Sequence, residues 1–497
     1  MPLYLSKSKY CTAIQCPKIL WLRENMPEEA DNTVVNEVIL GTGNQVGDLA
    51  MSLFGDFTEV PFGNLSEMTK LTQDLIDKGT AIIAEASFSY EGVFCSIDIL
   101  KNLGNNRVEI YEVKSSTSVK DINYDDVAYQ RYVLTMLGYD VVKVCIVHID
   151  NSYTRHGELE LDKLFKIEDV TSIAEERFNE VEVYVNGLPA YVAQPEEPEE
   201  EIGYQCFDPY ACPFFAHCTK HLPKPNVFNL ANTTLTKKLL CYTEGITSFD
   251  DLLLCDRFNS KQLMQMEYEV FDLPDHIDKP AIREFLAQLY YPLYFLDFES
   301  FQPAIPQFDD SKPYEQIVFQ YSLHYIENKG GELHHKAYLA APGYDPRREL
   351  AEQLCKDIPM DVCVTAYNKS FERSRIKSLA NIYPDLREHL MNIHDNIVDL
   401  MVPFQKRYYY NKAMQGSYSI KYVLPALFPN EPELDYHNLE GVHNGAEASA
   451  TFARMANMSK EELETYRKHL LEYCKLDTYA MVKIWEKLFE VAFCAIK

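Results

Sequence analysis

Residues 93–114 have the sequence VFCSIDILKNLGNNRVEIYEVK. Two runs rich in β-branched and apolar residues flank a turn signal from Asn102 to Arg107, which predicts two adjacent strands joined as a hairpin. Because successive side chains of a strand point to opposite faces, Glu112 and Lys114 share one face. The hairpin pairing brings Asp98, at the end of the first run, alongside them.

Two carboxylates and a lysine in this arrangement suit the hydrolysis of a phosphodiester. Carboxylates hold a divalent cation such as Mg²⁺ or Mn²⁺, and an ammonium group polarises the attacking water or balances developing charge. The pattern D-x13-E-x-K resembles the active site of the PD-(D/E)XK nucleases. The resemblance implies that Asp98 and Glu112 bind metal and that Lys114 is catalytic. A Glu-x-Lys pair also fits a solvated strand face, so the neighbouring elements matter.

The elements after the hairpin match the same resemblance. Apolar residues at helical spacing predict a helix over residues 123–137, and residues 141–147 predict a buried strand. Gln130 matches the glutamine motif that follows Glu-x-Lys in RecB-type nucleases. The resemblance therefore implies a restriction-endonuclease-like core with Gln130 in its catalytic site.

An early metal-binding histidine, found in many such relatives, is missing here. The corresponding stretch of this chain offers Gln45 and Asp48 instead. Glu85 is the alternative source of a further carboxylate.

The cysteines indicate a cofactor. There are thirteen, an odd number, and we expect no signal peptide, which argues against a disulfide framework and favours a cytoplasmic location. Three form the loop Cys206-x5-Cys212-x5-Cys218, and Cys16 precedes a proline near the N-terminus. Thiolates suit zinc or an iron–sulfur cluster. Cys11 is the rival of Cys16 as the early ligand. The other cysteines are expected to be small core residues: Cys95, Cys145, Cys241, Cys255, Cys355, Cys363, Cys474 and Cys494.

One early cysteine followed by a late trio resembles the iron–sulfur nucleases of the RecB family. The resemblance implies a 4Fe–4S cluster that joins the two ends of the nuclease domain, held by Cys16, Cys206, Cys212 and Cys218. The first gap of the trio is x2 in those relatives and x5 here. Zinc or unligated thiols therefore remain alternatives.

A second unit is indicated by residues 294–300, YFLDFES, an apolar run interrupted by two acids. Asp297 and Glu299 lie on one face of the predicted strand, where burying them is costly unless a cation compensates. Further elements are predicted in the order strand 317–325, strand 333–339, helix 346–357 and strand 361–366.

Two later motifs complete a resemblance to the DEDD 3′–5′ exonucleases, whose fold is RNase H-like. Asp297 and Glu299 match their first motif, and Glu372 stands in the second, where Asp is usual. Tyr473 and Asp477 match Y-x3-D and lie one turn apart on a predicted helix. The resemblance implies two divalent metal ions held by the four acids and a water oriented by Tyr473. The extra methylene of Glu372 is expected to shift the second metal, so reduced or lost activity remains an alternative.

The sequence thus predicts an α/β (α+β) chain with three parts. Residues 1–222 form the RecB-like nuclease domain, 223–288 a helical connector, and 289–497 the RNase H-like domain. Residues 194–201 form an acidic, proline-rich loop inside the first domain. Residues 237–252 resemble a helix-hairpin-helix module, and a plain helical spacer fits them equally well.

The net charge is the main objection to a nucleic-acid enzyme. The chain has 47 basic and 75 acidic residues, a formal charge of −28. Proteins that follow a phosphate backbone are usually basic on the binding face. We therefore expect binding through metal ions, through a helicase or other motor partner, or through a local basic strip of Lys114, Lys120, Arg131 and Lys143.

These patterns together resemble a prokaryotic family that fuses a RecB-like nuclease to an RNase H-like exonuclease. The expected activity is metal-dependent cleavage of single-stranded or end-bearing DNA in repair, recombination or defence. Three alternatives remain: an RNA-processing exonuclease, a nucleic-acid-binding protein with degenerate sites, and a subunit that docks a helicase. The sequence contains no membrane-spanning run of about twenty apolar residues.

Overall fold

Two structural units, each with its own mixed β-sheet, make up the part of the chain that the computed structural model describes, residues 4–31 and 37–493. The first unit comprises residues up to His221 together with Pro303–Glu315. The second comprises Leu222–Gln302 and the chain from Gln316 onward. The fold class is therefore mixed α/β. Cys494 lies outside the described residues.

The first unit is built on a sheet with the strand order β2-β3-β4-β5-β6-β7, in which β1 also pairs with β4. β3, β4 and β5 are antiparallel, β5 and β6 are parallel, and β7 returns antiparallel to β6. The strands are β1 (Leu5–Ser6), β2 (Thr58–Glu59), β3 (Ile82–Tyr90), β4 (Val93–Gly104), β5 (Arg107–Lys114), β6 (Asp140–Ile149) and β7 (Phe165–Asp169).

The parallel pairing of β5 and β6 requires a crossover, which α5 provides. Most of its residues are buried, including Asp126 and Gln130, so this helix lies against the sheet and carries polar groups into it. The helices of the first unit are α1 (Lys7–Gln15), α2 (Pro17–Asn25), α3 (Glu37–Ala50), α4 (Leu65–Asp77), α5 (Asp121–Met136), α6 (Leu161–Leu164), α7 (Thr171–Glu176), α8 (Phe178–Val192) and α9 (Phe215–Cys218).

The second unit contains a sheet with the order β11-β10-β9-β12-β13 and a separate pair, β14-β8. β9, β10 and β11 are antiparallel, whereas β12 is parallel to both β9 and β13. The strands are β8 (His276–Ile277), β9 (Leu293–Phe301), β10 (Ile317–Ile326), β11 (Leu333–Leu339), β12 (Cys363–Ala366), β13 (Ile397–Asp399) and β14 (Tyr409–Tyr410).

Because side chains alternate between the two faces of β9, this strand contributes to two different apolar clusters of the second unit. Leu293 and Phe295 belong to one apolar cluster, which includes residues of α20, and Leu296 and Phe298 belong to another. The helices are α10 (Leu235–Thr243), α11 (Phe249–Leu253), α12 (Ser260–Val270), α13 (Lys279–Leu286), α14 (Arg347–Asp357), α15 (Ser370–Ile382), α16 (Arg387–Asp395), α17 (Val402–Gln405), α18 (Ile420–Leu427), α19 (Gly445–Arg454) and α20 (Lys460–Phe493).

Within residues 4–31 and 37–493, no helix is both long enough and apolar enough to cross a bilayer.

Candidate functional sites

The first unit gathers a buried network of charges around Glu112. Lys114 Nζ lies 2.6 Å from Glu112 Oε1 and 2.5 Å from Asp126 Oδ2. Gln130 Nε2 donates to Glu112 Oε2 at 2.6 Å and to Asp126 Oδ1 at 2.9 Å. The Glu-x-Lys strand and the glutamine of α5 are therefore brought together, with Asp126 between them.

Two members of this network were missing from the sequence prediction. Asp126 lies one helical turn before Gln130 on the same face of α5, a spacing that was available as a signal. Lys7 begins α1, and its Nζ lies 2.7 Å from Glu112 Oε1 and 3.7 Å from Asp126 Oδ1. No local pattern marks Lys7, because 105 residues separate it from Glu112.

Asp98 and Glu85 face each other across β3 and β4. The register pairs Ala84 with Ile99 and Ala86 with Ile97, which sets Glu85 opposite Asp98. Glu85 has a φ of +54°, a left-handed conformation that non-glycine residues seldom adopt. Asp98 Oδ2 accepts the backbone N–H of Val113 at 2.6 Å. Burial raises the pKa of both carboxyls, and Lys7 acts in the opposite direction on each.

The electrostatics of this centre are those of acids partly balanced by lysines. Burial, followed by repulsion from Asp126 and Asp98, raises the pKa of Glu112 to about 7, although Lys114 and Lys7 oppose the rise. Burial would also raise the pKa of Asp126, but the two ammonium groups outweigh it and hold that pKa well below its usual range.

The donor set of the first unit fits a divalent cation in chemistry, because Asp98 and Glu112 supply hard oxygen ligands. The observed geometry is a salt-bridged one, since both oxygens of Glu112 are engaged by lysine or glutamine. Among the described residues, these acids do not form a trio with oxygens within 4.8 Å of one another. Metal binding there requires at least one lysine to move away.

Four cysteines line one cavity of the first unit: Cys16, Cys206, Cys212 and Cys218. Cys11 instead packs against the apolar core. Burial is the largest cause that raises the pKa of its thiol; Asp126 adds to the rise and Lys114 opposes it. Burial is the first cause that raises the pKa of each of the four thiols.

The spacing of these thiols bears on the choice between zinc and a cluster. A tetrahedral ion with Zn–S bonds of about 2.3 Å places its sulfurs roughly 3.8 Å apart. Within the described part of the chain, no three of these thiols lie within 4.8 Å of one another. A 4Fe–4S cluster binds each thiolate to a different iron, so it suits the wider spacing better.

A charge network surrounds the cysteine cavity. His217 is buried, with Nδ1 3.1 Å from Glu29 Oε2 and Nε2 3.2 Å from Glu197 Oε1. Lys18 Nζ lies 2.8 Å from the same Glu197 oxygen. Glu197 belongs to the acidic loop predicted over residues 194–201, so one of its acids ties the N-terminal helices to the cysteine loop.

The predicted basic strip is largely neutralised. Lys114 belongs to the network around Glu112, and Arg131 pairs with Glu175 at 2.8 Å. Lys143 lies 3.8 Å from Asp169. Lys120 lies 5.7 Å from the ring centroid of Tyr210. Three of its four members thus face a carboxylate, which leaves less free positive charge than the sequence suggested.

The second unit contains a different kind of centre, built where β9 meets α20. Asp297, Glu299 and Cys474 each offer a ligand atom, and these atoms all lie within 4.8 Å of one another. The Cys474 thiol donates a hydrogen bond to Asp297 Oδ2, with 3.7 Å between the sulfur and the oxygen. Cys474 is fully buried, and the sequence had assigned it to the core.

Two further acids complete this centre. Glu372 lies in the first turn of α15 and Asp477 lies on α20, and both repel the charge of Asp297 and Glu299. Glu372 Oε2 and Asp477 Oδ2 are buried and have no hydrogen-bond partner among the described residues. Burial raises the pKa of Glu372 to about 8 and that of Asp477 to about 7. Burial and the neighbouring acids raise the pKa of Asp297 well above its usual range.

None of these four acids forms an ion pair with a lysine, arginine or histidine of the described chain. Glu299 and Glu372 are buried, and Asp297 and Asp477 are half-buried. Carboxylates removed from water without an ion pair are costly unless they are protonated or bind a cation. The orphaned oxygens and the oxygen-rich donor set therefore fit divalent metal ions.

Tyrosines flank the Asp477 carboxylate. Tyr473 is buried one turn before it, and the hydrogen bond from Tyr436 lowers the Asp477 pKa against the larger effect of burial. Tyr436, from the 3₁₀ turn Tyr436–Asn438, was absent from the prediction. Both tyrosines and Asp477 line an open groove that also contains Lys421.

Asp399 stabilises the backbone at the N-terminal end of α15, the helix that carries Glu372. Its carboxylate accepts the backbone N–H groups of Asn368, at 3.0 Å, and of Lys369, at 3.2 Å. These residues immediately precede α15, and Asn368 has a φ of +68°. Asp399 thus fixes the start of the helix that presents Glu372.

Comparisons with known proteins identify relatives of parts of this chain. Residues 294–419 match a family model described as "Domain of unknown function (DUF2779)". Uncharacterized protein MG366 of Mycoplasma genitalium is 26% identical over 208 residues, which cover 38% of this chain and 31% of that protein. Uncharacterized protein UU173 of Ureaplasma parvum is 27% identical over 225 residues, covering 41% and 32%. The chain thus spans about a third of the length of these relatives. No solved structure matches the chain.

Proposed function

We propose that this chain is a metal-dependent nuclease with one hydrolytic centre in each unit. The observation that carries the proposal is the group of four acids in the second unit, Asp297, Glu299, Glu372 and Asp477. Glu299 and Glu372 are buried, Asp297 and Asp477 are half-buried, and none of the four forms an ion pair among the described residues. Such a group is unfavourable by itself and favourable around divalent cations.

Strand order supports an RNase H-like architecture for the second unit. Numbered from β9, the sheet has the order 3-2-1-4-5, with the second strand antiparallel to its neighbours. The acids stand on β9, at the start of α15 and on α20. This is the arrangement expected of a DEDD 3′–5′ exonuclease.

Each residue of the second centre has a proposed task. Asp297, Glu299, Glu372 and Asp477 would hold two divalent ions, which supply charge stabilisation and an activated water when bound. Tyr473 positions the attacking water through its hydroxyl. Lys421, in the adjoining groove, balances the charge of Asp477 and meets a substrate phosphate.

A PD-(D/E)XK restriction-endonuclease-like core is supported in the first unit by the order of its elements along the chain, which is β3, β4, β5, α5 and β6. Asp98 and Glu112 would hold a divalent ion that activates water. Lys114 stabilises charge that develops on the phosphate, and Gln130 fixes the orientation of Glu112.

A 4Fe–4S cluster is proposed for the cavity of Cys16, Cys206, Cys212 and Cys218. Its role is structural, because Cys16 lies in the N-terminal helices and the trio lies about 200 residues later in the first unit. Ligand binding to both segments converts metal affinity into folding stability.

DNA is proposed as the substrate in preference to RNA. With a net charge of −28, the chain is expected to bind strands through its metal ions and through a helicase or other motor partner. Binding by the isolated chain should therefore be weak and sensitive to salt. We place this activity in the cytoplasm, where thiolate ligands stay reduced.

Cleavage assays on single strands test the proposal. The wild type, Asp297→Ala, Lys114→Ala and the double variant are incubated with 5′- and 3′-labelled DNA and RNA in Mg²⁺ or Mn²⁺. We expect Asp297→Ala to remove stepwise digestion from the 3′ end. Lys114→Ala should remove the cleavage carried out by the centre of the first unit. Asp256→Ala, at an exposed position of the second unit, is the matched control. Full cleavage by the double variant would refute both centres.

A further inference from the structure

We infer that Cys474 is a metal ligand, so that the centre of the second unit takes a sulfur-binding divalent cation such as Zn²⁺, Fe²⁺ or Cd²⁺ beside its hard oxygen ligands. The inference deepens the proposed function and rests on it only in requiring that this centre bind metal. An all-oxygen site would favour Mg²⁺, whereas one thiolate changes that selectivity.

Geometry is the first support. For a tetrahedral ion with a metal–sulfur bond of about 2.3 Å and a metal–oxygen bond of about 2.0 Å, the two ligand atoms lie roughly 3.5 Å apart. Cys474 Sγ and Asp297 Oδ2 are 3.7 Å apart. Glu299 supplies a third atom within 4.8 Å of both. A small inward movement of side chains brings all three to one ion.

The second support is independent of the thiol. Glu372 is 2% exposed, and its Oε2 atom has no hydrogen-bond partner in the part of the chain that the structure describes. Repulsion from Glu372 raises the pKa of both Asp297 and Glu299, so Glu372 lies near this cluster, although it is not one of the three residues with ligand atoms within 4.8 Å of one another. A buried acceptor without a donor is rare in folded proteins, and a bound cation would satisfy it.

The position of Cys474 on α20 explains why it reaches the ion. Cys474 and Asp477 are three residues apart and therefore lie on neighbouring positions of one helix face. Asp297 and Glu299 come from the same face of β9. The helix thus offers one sulfur and one carboxylate toward the two acids of the strand.

Binding balances as an exchange of a proton for the metal. The Sγ–H bond breaks as the Sγ–metal bond forms, and the proton leaves to solvent. The sulfur is neither oxidised nor reduced. The site therefore needs no co-reactant.

Cadmium titration of the full chain tests the inference, because cadmium thiolates have an ultraviolet charge-transfer band. Wild type and Cys474→Ser are compared in the same buffer, so that signals from the other cysteines cancel. We expect Cys474→Ser to lose one thiolate equivalent of the band and roughly tenfold of Cd²⁺ affinity, with little change in Mg²⁺ affinity. Cys363→Ser, at another fully buried cysteine of this unit, should keep both.

Equal bands and equal Cd²⁺ affinities for wild type and Cys474→Ser would overturn the inference. Asp297→Asn gives a second test if Cys474→Ser does not fold: it should weaken the same band, and an unchanged band counts against a shared ion. Nuclease assays separate this result from the proposed function. Loss of the band without any nuclease activity supports the thiolate ligand and rejects the nuclease.

Discussion

The hydroxyl of Tyr436 donates a 2.7 Å hydrogen bond to Asp477 Oδ1. The other carboxylate oxygen, Oδ2, has no hydrogen-bond partner within residues 4–31 and 37–493. Tyr436 therefore occupies Oδ1 of Asp477 and leaves Oδ2 available to a cation. Tyr473, one helical turn away on α20, was the tyrosine that the sequence motif identified.

Replacing Tyr436 with Phe should separate the roles of these two tyrosines. Loss of the donor raises the pKa of Asp477 further, so we expect the rising limb of the kcat profile to move to higher pH. The kcat at neutral pH should fall by roughly tenfold, with a smaller change in KM. Tyr422→Phe, at an exposed position of α18, is the control. An unshifted pH profile would assign Tyr436 a purely structural role.

Lys7 should control metal access in the first unit. Its ammonium group lies on Glu112 Oε1 and repels a cation that approaches the same oxygen. We expect Lys7→Met to lower the Mg²⁺ concentration for half-maximal cleavage by about tenfold, the effect of a partly buried charge pair worth about 1.4 kcal/mol. The measurement uses an Asp297→Ala background, so that only this centre contributes.

The control for Lys7 is its neighbour Lys9, which pairs with Glu24 instead. Lys9→Met should leave the Mg²⁺ dependence unchanged. If Lys7→Met also leaves it unchanged, the salt bridge does not compete with metal.

How far the sequence predicted these centres depends on chain distance. Asp98, Glu112 and Lys114 share one hairpin, so strand alternation alone brought them together. Lys7 and Tyr436 come from segments with no pattern of their own, and only tertiary packing delivers them. Cys474 was assigned to the core because its neighbours are apolar, and strand and helix periodicity do not report what faces it.

Element boundaries differ for local reasons. The strand predicted over 361–366 begins at Cys363, because Asp361 adopts a φ of +59° and belongs to the preceding turn. The helix predicted over 123–137 begins at Asp121, where an acid in the first turn favours the helix N-terminus. The pairing of Glu85 with Asp98 was not foreseen, since it depends on a left-handed residue within a strand.

Metal-free protein should lose stability as pH rises. Asp477 and Glu372 have folded pKa values of about 7 and about 8, above the usual range near 4. Their protonation favours the folded state fully below about pH 4, and this contribution disappears as pH passes 7 to 8. The low pKa of Asp126 acts only at more acidic pH. We expect the Tm in EDTA to fall by several degrees from pH 5.5 to 8.5.

Added Mn²⁺ should reverse this trend, because the cation replaces the lost protons. The gain in Tm on adding Mn²⁺ should therefore be larger at pH 8.5 than at pH 5.5. Glu372→Gln should flatten the EDTA curve. A Tm independent of pH in EDTA would show that these carboxyls are not buried as described.

Cluster ligation is testable through the rival cysteines of the N-terminus. Cys16 lines the cavity with the trio, whereas Cys11 packs in the core. In anaerobically purified protein, Cys16→Ser should remove the iron and the absorbance at about 400 nm and should lower the Tm. Cys11→Ser should keep both. Stoichiometric zinc in colourless wild-type protein would instead favour a zinc site.

Glu372→Asp is the most informative variant of the second centre. Glu372 stands where the related exonucleases have Asp, and its Oε2 atom is buried without a partner. The shorter side chain restores the usual ligand but withdraws the carboxylate by one methylene.

If Glu372 only strains the site, Glu372→Asp should preserve or raise digestion of 3′-labelled single strands. Glu372→Gln, which keeps the length and removes the charge, should reduce digestion by at least tenfold. A loss of activity in Glu372→Asp as large as in Glu372→Gln would mean that α15 has adapted to the longer acid, and that this chain uses glutamate as its native ligand.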